Sequence, residues 1–176
     1  QTFNTDEGDL LAFIFDVYNR GTFDLGSSPY GILYYNLCLI STYVLSWFTE
    51  VTHSQVLVVS RLISYSFLLG SAVVIGAYTK KFRLGEWGIS FTLTLLGSQV
   101  LIKYGLMLHP DTIQLFFIAA GLYFVSSFLE NGKWKVFIFS IICAAFAFSS
   151  KYSGLLLFPF IGLSALVKFD EVKENI

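Results

Sequence analysis

The segment from Val56 to Thr79 restricts the fold of this chain more than any other feature. It is mostly apolar, and Arg61, one turn inside its start, is its only charged residue. A helix that crosses a bilayer needs about 20 mostly apolar residues. This segment therefore predicts a membrane-spanning helix. Four more apolar segments follow along the chain, at about 87–103, 111–129, 135–150 and 153–168.

The composition agrees with a chain that faces lipid. Charged residues make up 13% and hydrophobic residues 55% of the 176 residues, with a mean hydropathy of +0.69. A soluble domain carries roughly 25% charged residues, because its surface must be hydrated. The composition excludes a soluble enzyme, and the net charge of −1 gives no electrostatic basis for binding nucleic acid. We predict an all-α fold, a polytopic membrane helix bundle.

Basic residues in the connections predict how the bundle is oriented. They cluster at Lys80-Lys81-Phe82-Arg83, at Lys133 and Lys135, and at Lys168 and Lys173. Because basic residues are retained on the cytoplasmic side, these connections are predicted to be cytoplasmic if each apolar segment crosses once. The connections near residues 53, 103–111 and 151 then lie on the external face, which suggests a plasma-membrane protein.

The first 55 residues differ from the bundle predicted for residues 56–176. Residues 6–19 have the spacing of an amphipathic helix, and residues 20–29 read as a loop. Residues 30–48 are long enough to cross a membrane, yet their tyrosines and tryptophan favour the interface. Hydropathy leaves both alternatives open for this segment.

Ionisable side chains are costly beside a bilayer, so each is a candidate for function. The candidates are Asp6, Glu7, Asp9, Arg61, Lys103, His109, Asp111 and Lys151. With an external N-terminus, all of them fall on one side of the membrane. Carboxylates that face cations at one interface suit transfer from a phosphorylated lipid, since a carboxylate can deprotonate an acceptor while a cation neutralises the leaving phosphate.

Each candidate also has a structural interpretation. Asp6-Glu7 could complement a helix dipole, and Arg61 could extend its guanidinium to the lipid headgroups. His109-Pro110-Asp111 could be a helix start, and Lys151 could be a loop charge held by lipid phosphate. A zinc site is not indicated, because the two histidines have no partners at ligand spacing. The residues by themselves also leave two other functions open. These are a multi-pass transporter or channel and a non-catalytic membrane scaffold subunit.

The order of five motifs resembles the C-type membrane glycosyltransferases, which include the protein O-mannosyltransferases and the lipid A aminoarabinose transferase. The motifs are Asp6-Glu7-Gly-Asp-Leu-Leu-Ala-Phe, Ser-Ser-Pro29-Tyr-Gly-Ile-Leu-Tyr-Tyr, Val59-Ser-Arg61-Leu, Lys103-Tyr-Gly-Leu-Met-Leu-His-Pro-Asp111 and Ser149-Ser-Lys151-Tyr-Ser-Gly. They are similar, in order, to that family's acidic pair, His-Pro-Pro-Leu-Tyr segment, Arg-Leu segment, Pro-Asp entry and Thr-Lys-Gly turn. Ser27 or Ser28 stands where many relatives have His.

The resemblance implies an architecture. It implies that the acidic pair is external and that residues 30–48 lie along the membrane, so that five helices cross it and two amphipathic helices lie in an external juxtamembrane region. It also implies that the first membrane helix and the later ones are not in this sequence, which would then be an incomplete enzyme.

The resemblance also implies a reaction. A sugar carried on a polyprenyl phosphate would move to an acceptor hydroxyl of a protein, lipid or glycan at the external face. Asp6 would be the general base, with Glu7 orienting the acceptor or holding a cation. Arg61 and Lys151 would bind the donor phosphate, while His109 and Asp111 would bind sugar hydroxyls. A divalent metal stays open, because some relatives need one and others do not.

Overall fold

The computed structural model describes residues 5–26 and 30–174 of the chain. Within these residues every regular element is a helix, which confirms the all-α prediction. The helices are α1 (Thr5–Asn19), α2 (Ile32–Ser46), α3 (His53–Lys81), α4 (Gly85–Leu96), α5 (Gln99–Gly105), α6 (Asp111–Asn131), α7 (Trp134–Ser150) and α8 (Leu157–Glu174), with a 3₁₀ helix, Tyr152–Leu156, before α8.

Two of the described helices, α3 and α6, are long and apolar enough to cross a membrane by length and composition. They have 29 and 21 residues. At about 1.5 Å per residue they extend roughly 43 and 31 Å, against a hydrocarbon core of about 30 Å. The apolar helices α7 and Tyr152–Lys168 are shorter. Five crossings, and a boundary near residue 55, remain predictions.

The segment 87–103 was predicted as one helix, and this prediction is wrong. The structure divides it into α4 and α5, which are separated by Gly97 and Ser98. The Ser98 side chain accepts a hydrogen bond from the backbone N–H of Leu101 (3.3 Å). A serine that caps a helix in this way satisfies a backbone donor that a new helix start would otherwise leave unpaired. The apolar character of the segment hid this boundary.

Local capping also sets where α3 begins. Thr52 and Gln55 form a capping box, in which the Thr52 hydroxyl accepts from the Gln55 N–H and the Thr52 N–H donates to Gln55 Oε1 (2.8 Å). This reciprocal pair satisfies two backbone donors at the helix start. As a result α3 starts at His53, before the apolar segment itself.

The helices α3 and α6 run parallel to each other. Ser64 Oγ, in the first half of α3, lies 3.4 Å from the backbone oxygen of His109, just before α6. Lys81 Nζ, at the end of α3, lies 2.7 Å from Ser127 Oγ, in the last turns of α6. After α6 the chain reverses at Gly132, whose φ of 64° is left-handed and therefore suits glycine. Helix α7 then returns antiparallel to α6.

This arrangement gives the bundle two distinct ends. We call the end where α3 and α6 begin and α7 finishes the site end. We call the opposite end, where α3 and α6 finish and α7 begins, the basic end. The basic end carries Lys80, Lys81, Arg83, Lys133 and Lys135.

Helices α1 and α2 share one core with the first part of α3. Its buried side chains include Leu10, Ile14, Val17, Tyr34, Cys38, Leu39, Val56, Leu57, Leu108 and Ile113. The other face of α1 exposes Asp6, Asp9 and Asp16, so this helix is amphipathic. Its position at a membrane surface remains a prediction. Ser27 and Ser28, which stand at the family's His position, lie outside the described residues.

Candidate functional site

A buried ion pair joins α1 to α3 at the site end. The Glu7 side chain is fully buried, and it accepts hydrogen bonds from Arg61 Nε (2.9 Å) and Nη2 (2.8 Å). Glu7 Oε1 also accepts from the backbone N–H of Leu108 (2.9 Å). A buried carboxylate is stable only when its charge is paired and its oxygens are hydrogen-bonded. Glu7 meets both conditions, and so connects α1, α3 and the segment before α6.

Asp6 occupies the position next to this buried pair. Successive residues of a helix point about 100° apart, so a buried Glu7 turns its neighbour toward another direction. The Asp6 side chain is exposed. The two members of the predicted acidic pair therefore differ, because one is committed to an internal ion pair and the other is open to a partner from outside.

A second polar cluster forms around Asp111, the first residue of α6. Lys151 Nζ lies 2.7 Å from Asp111 Oδ1, and His109 Nδ1 lies 3.0 Å from Asp111 Oδ2. The Asp111 and Lys151 side chains are 29% and 33% exposed. An ion pair this open to solvent contributes only about 0–1 kcal/mol to stability. Its interest is chemical, since a carboxylate and an ammonium that a ligand can reach lie beside a buried imidazole.

Two tyrosine rings enclose the imidazole of this cluster. The rings of Tyr30 and Tyr104 lie 5.4 and 5.5 Å from that of His109, centroid to centroid. Lys151 Nζ lies 5.7 Å from the Tyr30 ring centroid, within the range of a cation–π interaction. The cluster therefore presents an aromatic ring beside charged, hydrogen-bonding groups.

The two clusters are connected through consecutive residues. Glu7 holds the Leu108 N–H, and the next residue, His109, accepts a hydrogen bond at its backbone oxygen from Ser64 Oγ. Tyr34 Oη lies 3.0 Å from Ser64 Oγ. Burial raises the pKa of the Tyr34 phenol well above its ordinary value, so the phenol stays protonated and acts as a structural hydrogen-bond group.

Close backbone packing brings Tyr30 to the cluster. A Cβ added at Gly31 would overlap the carbonyl oxygen of Ser149, in the last turn of α7. Only glycine permits α2 to begin this close to the end of α7. Since Tyr30 precedes Gly31 and Lys151 follows Ser149 by two residues, this approach sets the contact between the tyrosine ring and the ammonium group.

The structure thus brings together five of the six residues predicted for the site. Glu7, Arg61, His109, Asp111 and Lys151 share the site end and are linked by the contacts above, and Asp6 is exposed beside Glu7. Sequence reasoning did not select Tyr30, Tyr104, Gly31 or Gln114. Gln114 Nε2 donates to the Lys151 carbonyl (3.3 Å) and to Ser153 Oγ (2.8 Å). Tyr30, Gly31 and Tyr104 stand inside the motifs quoted for the resemblance, which did not mark them as site residues. For Gln114 the signal was its position one helical turn after Asp111.

An apolar groove begins at this polar cluster and follows α6. Three cavities of about 300, 280 and 420 Å³ adjoin at Ile118. Asp111, Thr112 and Tyr104 line the first of them, and Leu122 lines the other two. From Asp111 to Leu122 the helix rises about 16 Å, which is half the thickness of the hydrocarbon core. The groove therefore begins at charged side chains and continues along a long row of apolar side chains.

A metal site does not emerge from the described part of the chain, where no three His, Cys, Asp or Glu side chains group together. The two histidines are employed separately. His53 stacks on Phe15 with ring centroids 3.7 Å apart, while His109 contacts Asp111.

Comparison with known proteins gives one result. A family model described as dolichyl-phosphate-mannose-protein mannosyltransferase matches residues 38–174. The match includes Arg61, His109, Asp111 and Lys151, whereas Asp6, Glu7 and Tyr30 precede it. Neither the curated proteins nor the solved structures give a match.

Proposed function

This chain belongs to the dolichyl-phosphate-mannose-protein mannosyltransferase family, a family of membrane glycosyltransferases, and from that membership we propose a specific reaction. The protein transfers a mannose-type sugar from a polyprenyl-phosphate donor to an acceptor hydroxyl, at the external membrane face. The acceptor belongs to a protein, lipid or glycan.

The observation that carries this proposal is the position of the polar cluster at the head of the groove along α6. A polyprenyl-phosphate sugar has a charged, hydroxyl-rich head and a long isoprenoid tail. Asp111 belongs to the polar cluster and also lines the first part of the groove. A ligand with its head at Asp111 and Lys151 would extend its tail past Ile118 among apolar side chains. A wholly polar substrate would leave the apolar side chains of this groove uncovered.

The cations are assigned to the donor phosphate. Lys151 is one-third exposed beside the groove, and Arg61 is 24% exposed while Glu7 holds it in a fixed orientation. When the acceptor oxygen bonds to the anomeric carbon, the bond from that carbon to the phosphate oxygen breaks. The electron pair leaves with the polyprenyl phosphate, which gains one negative charge. Cations held near this phosphate stabilise the developing charge most where water is excluded.

We assign Asp6 the role of general base, which accepts the proton of the acceptor hydroxyl. The acceptor hydroxyl must lose its proton as its oxygen attacks, and an exposed carboxylate can accept it. Glu7 is buried and bonded to Arg61 and Leu108, so we assign it the role of a positioning residue that holds the first turn of α1. His109 and Asp111 are assigned to sugar hydroxyls, with the Tyr30 ring against the sugar face.

The charge distribution supports the external location. The basic end carries the basic clusters and is assigned to the cytoplasm by the retention of positive charge on that side. The site end is then external, in accord with a donor whose head group is presented there.

A transfer assay tests the proposal. The full-length protein is reconstituted in vesicles with a polyprenyl-phosphate mannose donor, and sugar transfer to an acceptor is followed. Asp6→Asn should lower kcat by about 10²–10⁴-fold, as the loss of a general base does. Asp9→Asn, another exposed carboxylate of α1, serves as the matched control and should keep full activity.

Two outcomes would contradict the proposal. Transfer at the wild-type rate by Asp6→Asn would exclude Asp6 as the base. Flux of solute through the vesicles, with no transfer by the wild type, would instead favour a transporter.

A further inference from the structure

A second groove lies at the basic end, away from the polar cluster at Asp111, and it shares Thr79 with the last cavity of the groove along α6. It has a volume of about 610 Å³ and separates the last turns of α3 from α4. Gly76, Ile89 and Leu93 contribute to its apolar wall, while Lys80 and Arg83 also line it. The proposed reaction places neither the sugar donor nor the acceptor in this groove.

The backbone at Arg83 is unusual for a residue with a side chain. Its φ is 53°, in the left-handed region. The Arg83 N–H donates to the Lys80 carbonyl (3.1 Å), and the Leu84 N–H donates to the Thr79 carbonyl (3.1 Å). These two bonds define a Schellman motif with Arg83 at the position where glycine is preferred. A Cβ there is sterically unfavourable, so replacing this arginine with glycine would relieve strain and remove a cation that lines the groove.

The cations of this groove are available to a ligand. Lys81, their neighbour, is committed to Glu130 Oε2 (3.1 Å) and to Ser127 Oγ (2.7 Å). By contrast, among the side chains that the structure describes (residues 6–26, 30–90, 92–94, 97–99 and 101–168), those of Lys80 and Arg83 have no ion-pair partner. Glu86, in the first turn of α4, is the nearest acidic residue along the chain and does not line the groove. The edge of the groove therefore presents two positive charges.

We propose that this groove binds an anionic phospholipid of the leaflet at the basic end. Lys80 and Arg83 hold the headgroup phosphate, and one acyl chain lies along Ile89 and Leu93, over Gly76. Basic residues beside membrane helices attract anionic headgroups, and an acyl chain is the occupant that covers an apolar slot facing lipid. A Cβ added at Gly76 meets no atom within 4 Å, so the slot is open there. A free phosphate ion would leave the apolar wall of the groove without a contact.

Three variants of the purified full-length protein test the proposal. Arg83→Gly removes the guanidinium and also the steric strain of a side chain in the left-handed backbone region. Gly76→Leu keeps both cations and fills the slot. Lys133→Gln, which removes a cation of the same end that does not line the groove, is the control. Each is placed in phosphatidylcholine nanodiscs with increasing phosphatidylglycerol, and the thermal midpoint and the lipids retained in native mass spectrometry are recorded.

The wild type should gain stability as phosphatidylglycerol increases and should retain that lipid preferentially. In pure phosphatidylcholine, Arg83→Gly should shift the folding equilibrium roughly tenfold toward the folded state. The same variant should bind phosphatidylglycerol about fivefold more weakly, as the loss of one basic contact predicts. Gly76→Leu should also bind it more weakly, and Lys133→Gln should resemble the wild type.

The proposal is overturned if Arg83→Gly responds to phosphatidylglycerol as the wild type does. It is equally overturned if inorganic phosphate, added in phosphatidylcholine, reproduces the stabilisation and Gly76→Leu leaves it unchanged. The second result would show a site for free phosphate without an acyl chain. The transfer assay plays no part in either readout, so the outcome is independent of the proposed reaction.

Discussion

The guanidinium of Arg61 and the carboxylate of Glu7 are joined by two hydrogen bonds across 54 residues of sequence, and Glu7 has no exposed surface. The same carboxylate binds the Leu108 N–H, one residue before His109. One buried side chain thus fixes α1 relative to α3 and to the entry into α6. The geometry of the candidate site depends on this contact, even though Glu7 itself is not accessible to a substrate.

Replacing Glu7 with glutamine should therefore destabilise the protein strongly. The substitution leaves the Arg61 charge without its counter-ion in a mostly buried position, and breaking such a pair costs about 3 kcal/mol. Thermal unfolding in detergent or nanodiscs measures the effect. Asp16→Asn is the control, because Asp16 pairs with Arg20 on an exposed helix surface and its loss should cost less than about 0.5 kcal/mol. Equal effects of the two variants would refute a structural role for Glu7.

Gly31→Ala should separate α2 from the end of α7. The added methyl group overlaps the Ser149 carbonyl, and relief of such overpacking costs about 1–3 kcal/mol. Tyr30 would move away from His109, so transfer activity should fall together with stability. Gly162→Ala, in α8, adds a methyl group with no atom within 4 Å. That control should be neutral or stabilising by up to about 1 kcal/mol. Unchanged stability and activity in Gly31→Ala would contradict the close approach.

Lys151→Gln should impair use of the donor more than it impairs folding. The pair with Asp111 is partly exposed, so its loss should cost no more than about 1 kcal/mol of stability. Loss of a cation that stabilises the leaving phosphate should lower kcat/KM by about 10²-fold. Steady-state kinetics with varied donor separates the two effects. Lys103→Gln removes an exposed cation of α5 and should leave kcat/KM nearly unchanged; a comparable decrease in both variants would indicate a general effect of charge.

Ile118→Trp should block the groove along α6, since Ile118 lines all three of its cavities. The KM for a long-chain polyprenyl-phosphate donor should rise, while the KM for a donor with a short isoprenoid chain should change little. This dependence on chain length is the test, since a loss of folded protein would lower the apparent kcat with both donors without separating their KM values. Ile138→Trp, at an exposed position of α7, is the control. An equal rise in KM for both donors would place the tail elsewhere.

The architecture could be predicted because the bilayer imposes it. In lipid every backbone polar group must be satisfied within the chain, so long apolar segments must be helices. Local chemistry also revealed some boundaries, as at the Asp111 start of α6. It failed between residues 87 and 103, because Gly97 and Ser98 interrupt a segment whose hydropathy stays high throughout. Serine and glycine occur inside membrane helices as well, so their presence alone does not indicate a break.

The sequence by itself determined that this chain is a helical membrane bundle and which few ionisable residues it holds, since both follow from the length and polarity of its segments. Only the tertiary structure decided that Glu7 is committed to Arg61, that Tyr30 lies against His109 and that Gly31 abuts Ser149. Helices in a bilayer are apolar on most faces, so hydropathy does not encode which face meets which neighbour. Small residues and a few hydrogen-bonded side chains make that choice, and they act only once the helices are packed.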